Sequence, residues 1–149
     1  AQKLYENGFI TYMRTDAPSL SKESIQDARA FIDDELGSSY LTNAPRIYSS
    51  QENAQEAHEA IRPTSASRKP GMITSSSDEE QRLYELIWLQ FISSQMPDAE
   101  YLSTSAKVNL EGYEFVARGR EVVFDGFTKV MPPRKDEDAI LPPLAEGDT

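Results

Sequence analysis

The chain has 149 residues, no cysteine, 38% hydrophobic residues and a formal net charge of −10. That is enough apolar content for the core of one domain, or of a domain with part of a second, and it excludes a disulfide framework and a thiolate zinc site. The acidity argues against a general nucleic-acid binder, and no apolar run nears the ~18 residues of a membrane span. In chain order, residues 1–7 read as the end of a helix with Leu4 and Tyr5 turned inward. The pattern begins mid-helix without an initiator Met or a signal peptide, so the sequence reads as a piece of a longer protein.

Asn7-Gly8 closes that helix, because glycine takes the positive φ of a helix C-terminus without strain. Phe9-Ile10-Thr11-Tyr12-Met13 is rich in β-formers and reads as a short extended piece. Tyr12 then falls at an element junction, where a side chain can face a ligand. Arg14 and Asp16 follow closely. A phenol attacks phosphorus as phenolate, which at a reference pKa of about 10 is roughly one part in a thousand at neutral pH. A nearby cation favours that form, and the planar fork of Arg14 suits the two free oxygens of a phosphodiester. Asp16 either orients Arg14 or, when protonated, donates to a leaving oxygen.

Ala17-Pro18-Ser19 is turn-rich. Ser21 reads as the N-cap of a helix over about 22–36, with Ile25, Ala28, Phe31, Ile32 and Leu36 at helical spacing and Gly37 as its stop. Asp27, Arg29, Asp33, Asp34 and Glu35 form its expected solvated face. Residues 38–53 are irregular, with a brief extended stretch at Pro45-Arg46-Ile47-Tyr48. Residues 54–61 suit about two helical turns, ended at Arg62-Pro63 because the residue before proline avoids the α region. The lone histidine, His58, lies there. It is either a partly buried polar residue or a phosphate-binding, proton-shuttling group titrating near neutrality. A metal site of His58 with Glu56 or Glu59 is not expected, since two ligands are too few to close one.

Residues 64–77 read as loop. Ser77 and Glu80 form a capping box that opens a helix over about 78–96, apolar on most sides and expected to be the core helix, with Trp88 as core. From about residue 100 the period becomes two. Tyr101–Leu110 and Tyr113–Arg118 flank the turn signal Glu111-Gly112, and Arg120–Phe124 reads as a further strand, giving an antiparallel meander. Tyr5, Tyr84, Tyr101 and Tyr113 are expected to be packing residues. Residues 132–149 read as an acidic, proline-rich linker. The fold class is α+β, with a mainly helical domain over 1–97 and a β-rich segment over 98–149.

Charge is uneven between the halves. Residues 1–70 hold eight Lys/Arg against ten Asp/Glu, and residues 71–149 hold seven against fifteen. The first half therefore has room for a local cationic site of Arg14, Arg62, Arg68 and Lys69, although a solvated loop accounts equally well for Arg68-Lys69. No acidic cluster reads as a Mg²⁺ site: Asp33-Asp34-Glu35 lies on the solvated helix face and Asp136-Glu137-Asp138 in the linker.

Ala1-Gln2-Lys3-Leu4-Tyr5-Glu6 with Ile10-Thr11-Tyr12-Met13-Arg14-Thr15-Asp16 closely resembles the active-site segment of bacterial type IA DNA topoisomerases, the topoisomerase I group. Glu56-Ala57-His58-Glu59-Ala60-Ile61-Arg62-Pro63-Thr64, Leu83-Tyr84-Glu85-Leu86-Ile87-Trp88 and Phe124-Asp125-Gly126-Phe127-Thr128-Lys129-Val130 resemble three further signatures, in the family's order. One position departs: Ala17 stands where the family usually has Ser, so a hydroxyl beside Asp16 is missing.

The resemblance implies a winged-helix-like domain carrying the tyrosine, incomplete at its N-terminus, followed by a β segment of the arch. It implies Tyr12 as nucleophile, Arg14 as the catalytic cation, and Thr15, Asp16, His58 and Arg62 as the DNA-binding surround. Single-stranded or negatively supercoiled DNA is the implied partner, cut and resealed without ATP through a 5′-phosphotyrosine. Mg²⁺ is implied for the full-length enzyme, with ligands in a Toprim domain outside this chain and no cofactor in residues 1–149. The location implied is the bacterial cytoplasm, with no membrane association, and these residues alone are expected not to relax DNA. Two other classes stay open: a non-catalytic winged-helix DNA-binding module, and a structural interaction domain that the net charge favours.

Overall fold

The computed structural model describes residues 1–48, 59–73, 77–133 and 140–141. His58, the start of the expected 54–61 helix and most of the acidic linker lie outside the described residues. The chain divides into two compact units, Ala1–Pro97 and Asp98–Thr149. Among the described residues there are three α-helices and one antiparallel pair of strands, an α+β fold.

In the first unit, α1 (Gln2–Glu6) ends at Asn7, and Gly8 at φ 69° turns the chain back. Helix α2 (Lys22–Leu36) starts where the Ser21 side chain accepts a hydrogen bond from the Ser24 amide and stops at Gly37, φ 95°. Ile25, Ala28 and Ile32 repeat on one face and are buried. Its opposite face is not simply solvated. Asp27 accepts a 2.7 Å bond from the Ala66 amide, Arg29 donates to Thr42, and Glu35 pairs with Lys69. Asp33, Asp34 and Glu35 are exposed as expected, while Asp27, Arg29 and Glu35 also tether the two loops that cross that face.

Helix α3 (Asp78–Ser93) carries the predicted capping box at Ser77 and Glu80. It buries Tyr84, Trp88, Phe91 and Ile92, each such side chain contributing about 1.5–3 kcal/mol. Trp88 is core: its indole N–H donates to the Ala66 carbonyl at 2.8 Å and its ring meets Phe31 edge-on. The helix is narrower and shorter than the sequence predicts. Leu86 is exposed. Past Ser93 the amides of Gln95 and Met96 reach back only three residues, tightening the chain into turns. Gln95, wholly buried, bonds both backbone groups of Arg46, so the stretch predicted as extended at 45–48 is held by a side-chain amide and pairs with no described strand.

The second unit is a hairpin. β1 (Glu100–Leu110) pairs with β2 (Tyr113–Phe124) from Leu110↔Tyr113 to Glu100↔Phe124. Glu111 and Gly112 have φ 51° and 86°, so both turn residues are left-handed, as a tight two-residue hairpin requires. The predicted meander is corrected here. Gly119 does not break the strand; it stays in the ladder opposite Thr104, and Arg120–Phe124 continues β2. Gly126, φ 49°, opens the turn at Gly126–Lys129, where a Cβ would collide with the backbone at Asp98. Of the tyrosines expected to pack, Tyr84 is fully buried, whereas Tyr5 and Tyr113 are exposed.

Candidate active site

The site is built on one short pairing between distant parts of the chain. Ile10 and Pro63 form an isolated antiparallel bridge. The Thr11 amide donates to the Arg62 carbonyl at 2.9 Å and the Thr64 amide to the Phe9 carbonyl at 3.0 Å. Pro63 has no N–H, and it falls opposite Ile10 in the pair of this bridge that donates nothing across it. The expected extended piece at 9–13 is confined to this bridge, because the chain bends at Thr11.

Side chains lock the pairing. Thr11 Oγ1 donates to the Ala60 carbonyl at 2.8 Å and accepts from the Arg62 amide at 2.9 Å. Thr64 Oγ1 and Arg68 Nη1 both donate to the Gly8 carbonyl, and the Arg68 guanidinium lies 5.3 Å over the Phe9 ring. The Tyr84 hydroxyl in turn holds the Arg68 carbonyl at 2.6 Å. Burial pushes the Tyr84 phenol above its ordinary pKa, with the Arg68 cation pulling the other way, so Tyr84 is a neutral donor there.

Tyr12 emerges just after the bridge. Its side chain is 42% exposed, and its ring meets that of Tyr5 edge-on at 5.3 Å. Arg14 and Asp16 are also exposed. Among the described residues nothing engages the Tyr12 hydroxyl, the Arg14 guanidinium or the Asp16 carboxylate, so Asp16 does not orient Arg14 in this structure. Thr15 Oγ1 accepts from the Ala17 amide at 3.0 Å, shaping the turn that follows. Ala17 is buried, so its methyl lies against the core.

The bridge brings Arg62 beside the Tyr12 segment, but its guanidinium is occupied. Nε and Nη2 both reach Glu59 Oε2, at 3.1 and 2.8 Å, and Nη1 donates to the Pro63 carbonyl. Lys69 pairs with Glu35 at 2.8 Å. Of the four cations that the sequence grouped, Arg62, Arg68 and Lys69 are thus engaged by described residues, and Arg14 is the open one among them. Three acidic or histidine side chains do not converge anywhere among the described residues. No described helix is long and apolar enough to cross a membrane. Sequence reasoning missed Thr11, Tyr5 and Phe9 as parts of the site. Thr11 had a signal, a hydroxyl inside an otherwise apolar run; Tyr5 read as packing and Phe9 as part of the extended piece.

A family model described as DNA topoisomerase matches residues 1–149. The chain is 49% identical over 150 residues to DNA topoisomerase 1 of Pseudomonas aeruginosa, covering 99% of this chain and 17% of that protein. Against DNA topoisomerase 1 of Escherichia coli the figures are 47% over 143 residues, 95% and 16%. Full-length topoisomerase I from Thermotoga maritima aligns in structure with a TM-score of 0.77 at 31% identity, covering 94% of this chain and 22% of that one. The chain spans under a fifth of the length of these curated relatives.

Proposed function

Because this chain belongs to the bacterial DNA topoisomerase I family, we propose that it carries the strand-cleaving site of a type IA enzyme, with Tyr12 as nucleophile. The observation that carries this reading is a phenol presented outward, its hydroxyl unengaged by any described residue, on a backbone pinned immediately before it. A tyrosine meant only for packing has no need of that arrangement.

In this reading Tyr12 Oη attacks the phosphorus of a single DNA strand. The Tyr12 phenol gives up its proton as its bond to phosphorus forms, the bond from phosphorus to the 3′ oxygen breaks, and the leaving oxygen takes up a proton to become a 3′-hydroxyl, so the proton count is unchanged. One phosphodiester replaces another, so the step is close to isoenergetic and needs no ATP. The 3′-hydroxyl attacks back to reseal, and passage of a second strand in between changes DNA topology. Arg14 supplies charge to the phosphate, Asp16 and Thr15 shape its surround, and Arg62 buttresses the Tyr12 segment through its backbone. His58 completes the surround as a phosphate-binding or proton-shuttling group.

The reading extends to a winged-helix-like domain over 1–97, an arch segment over 98–149, and action on single-stranded or negatively supercoiled DNA in the cytoplasm. Mg²⁺ belongs to the full-length enzyme, with ligands from a Toprim domain outside residues 1–149, so no step here is routed through it. Two results are expected. Peptide mapping of a denaturant-trapped adduct of the full-length protein should place the nucleotide on Tyr12 alone; label on another tyrosine overturns the assignment. Residues 1–149 alone, at a stoichiometric ratio, should leave supercoiled plasmid unrelaxed on a gel. Relaxation that disappears in Tyr12→Phe would show that no further domain is needed.

A further inference from the structure

Tyr12 presents a difficulty as a nucleophile. Its ring is nearly half exposed and its hydroxyl has no described partner, so nothing at the oxygen end fixes the direction of attack. One side chain touches the ring at a defined angle. Tyr5 meets it with centroids 5.3 Å apart and planes at 69°, the edge-to-face geometry that aromatic quadrupoles prefer. We infer that Tyr5 is a positioning residue, a rest against which the Tyr12 ring is held in its attacking orientation. This inference builds on Tyr12 being the nucleophile.

Tyr5 is itself well anchored. It sits on α1, whose Leu4 is fully buried. The Gly8 amide bonds the Tyr5 carbonyl at 2.9 Å and the Phe9 amide bonds the Leu4 carbonyl at 2.8 Å. Lys3 reaches Glu80 of α3 at 3.6 Å. The turn that carries the chain from Tyr5 round to Tyr12 is therefore fixed at both ends, by the helix and by the Ile10–Pro63 bridge. Tyr5 is also 42% exposed, so the two rings are not paired as a by-product of core burial. An aromatic side chain has only two rotatable bonds, and a contact on one ring edge removes much of what freedom remains.

The test uses the full-length protein and a single-stranded oligonucleotide. It compares Tyr5→Phe, Tyr5→Leu and Tyr5→Met, the last two being good helix formers that delete the ring. Small misplacements of a reacting group cost large factors in rate, so both ring deletions should slow adduct formation at saturating DNA by about tenfold. Their oligonucleotide Kd should stay within about twofold, and Tyr5→Phe, which keeps the ring edge, should cleave like the parent. Equal loss of rate and affinity in the ring deletions would make Tyr5 a DNA contact and overturn the inference, as would unchanged cleavage. Should one deletion lower the Tm, the other and the Phe variant still decide it. A parent protein that forms no Tyr12 adduct would refute the nucleophile assignment itself, a result separate from any outcome for Tyr5.

Discussion

Replacing Tyr12 by phenylalanine is expected to abolish the covalent protein–DNA adduct of the full-length enzyme and to leave folding and DNA binding intact. The substitution removes one oxygen. That oxygen has no hydrogen-bond partner among the described residues, and the ring's contact with Tyr5 survives without it. The stability change should therefore stay within the ±0.5 kcal/mol usual for surface substitutions, read as an unchanged Tm. Single-strand affinity should hold as well, because the charge at the site comes from Arg14. Cleavage alone should vanish, with no nucleotide-linked band after denaturant quench. An adduct in Tyr12→Phe would refute the nucleophile, and a drop of several degrees in Tm would mark the hydroxyl as structural.

The second large effect is expected at Arg14. Its guanidinium is exposed and unpaired among the described residues, unlike Arg62 with Glu59 and Lys69 with Glu35. A cation on a phosphate that gains charge as the bond forms acts mainly in the transition state. Arg14→Ala should lower the cleavage rate by about 10²–10³-fold, the range seen when one oxyanion donor is lost. Binding should weaken modestly, with the salt dependence falling by about one phosphate contact. Arg14→Lys should restore most of the affinity but little of the rate, since an ammonium cannot make the two-pronged contact. A parallel fall in affinity and rate would make Arg14 a binding residue only.

Local rules made much of this fold legible. Ser21, Gly37, Ser77 and Glu80 sit where capping chemistry puts them, and α2 and the start of α3 follow. Glu111-Gly112 marked the hairpin turn because left-handed backbone has a sequence signature. The separate strand expected at Arg120–Phe124 is instead continuous with β2, because Gly119 stays paired within the ladder. The far end of α3 was overextended because three-residue turns keep nearly helical spacing. The site followed a similar division. Tyr12 and Arg14 stand out by residue type and by family resemblance. That Thr11 grips residues 60 and 62 is a tertiary fact, joining positions 49 and 51 residues away that no local pattern encodes. That Glu59 holds Arg62 and that Tyr5 touches Tyr12 are short-range contacts, set by how the chain turns between them.

The Thr11 hydroxyl gives one hydrogen bond and takes another, and both partners are main-chain atoms of the facing segment. Main-chain partners are indifferent to side-chain identity but not to counting. Adding or removing one residue between Gly8 and Tyr12 would drive the Thr11 oxygen into the apolar seat of Ile10 and present a different neighbour at the surface. What this loop guards most strictly is thus its length. Many substitutions along it leave the spacing untouched, whereas a single-codon insertion or deletion would move the phenol even if every residue type survived.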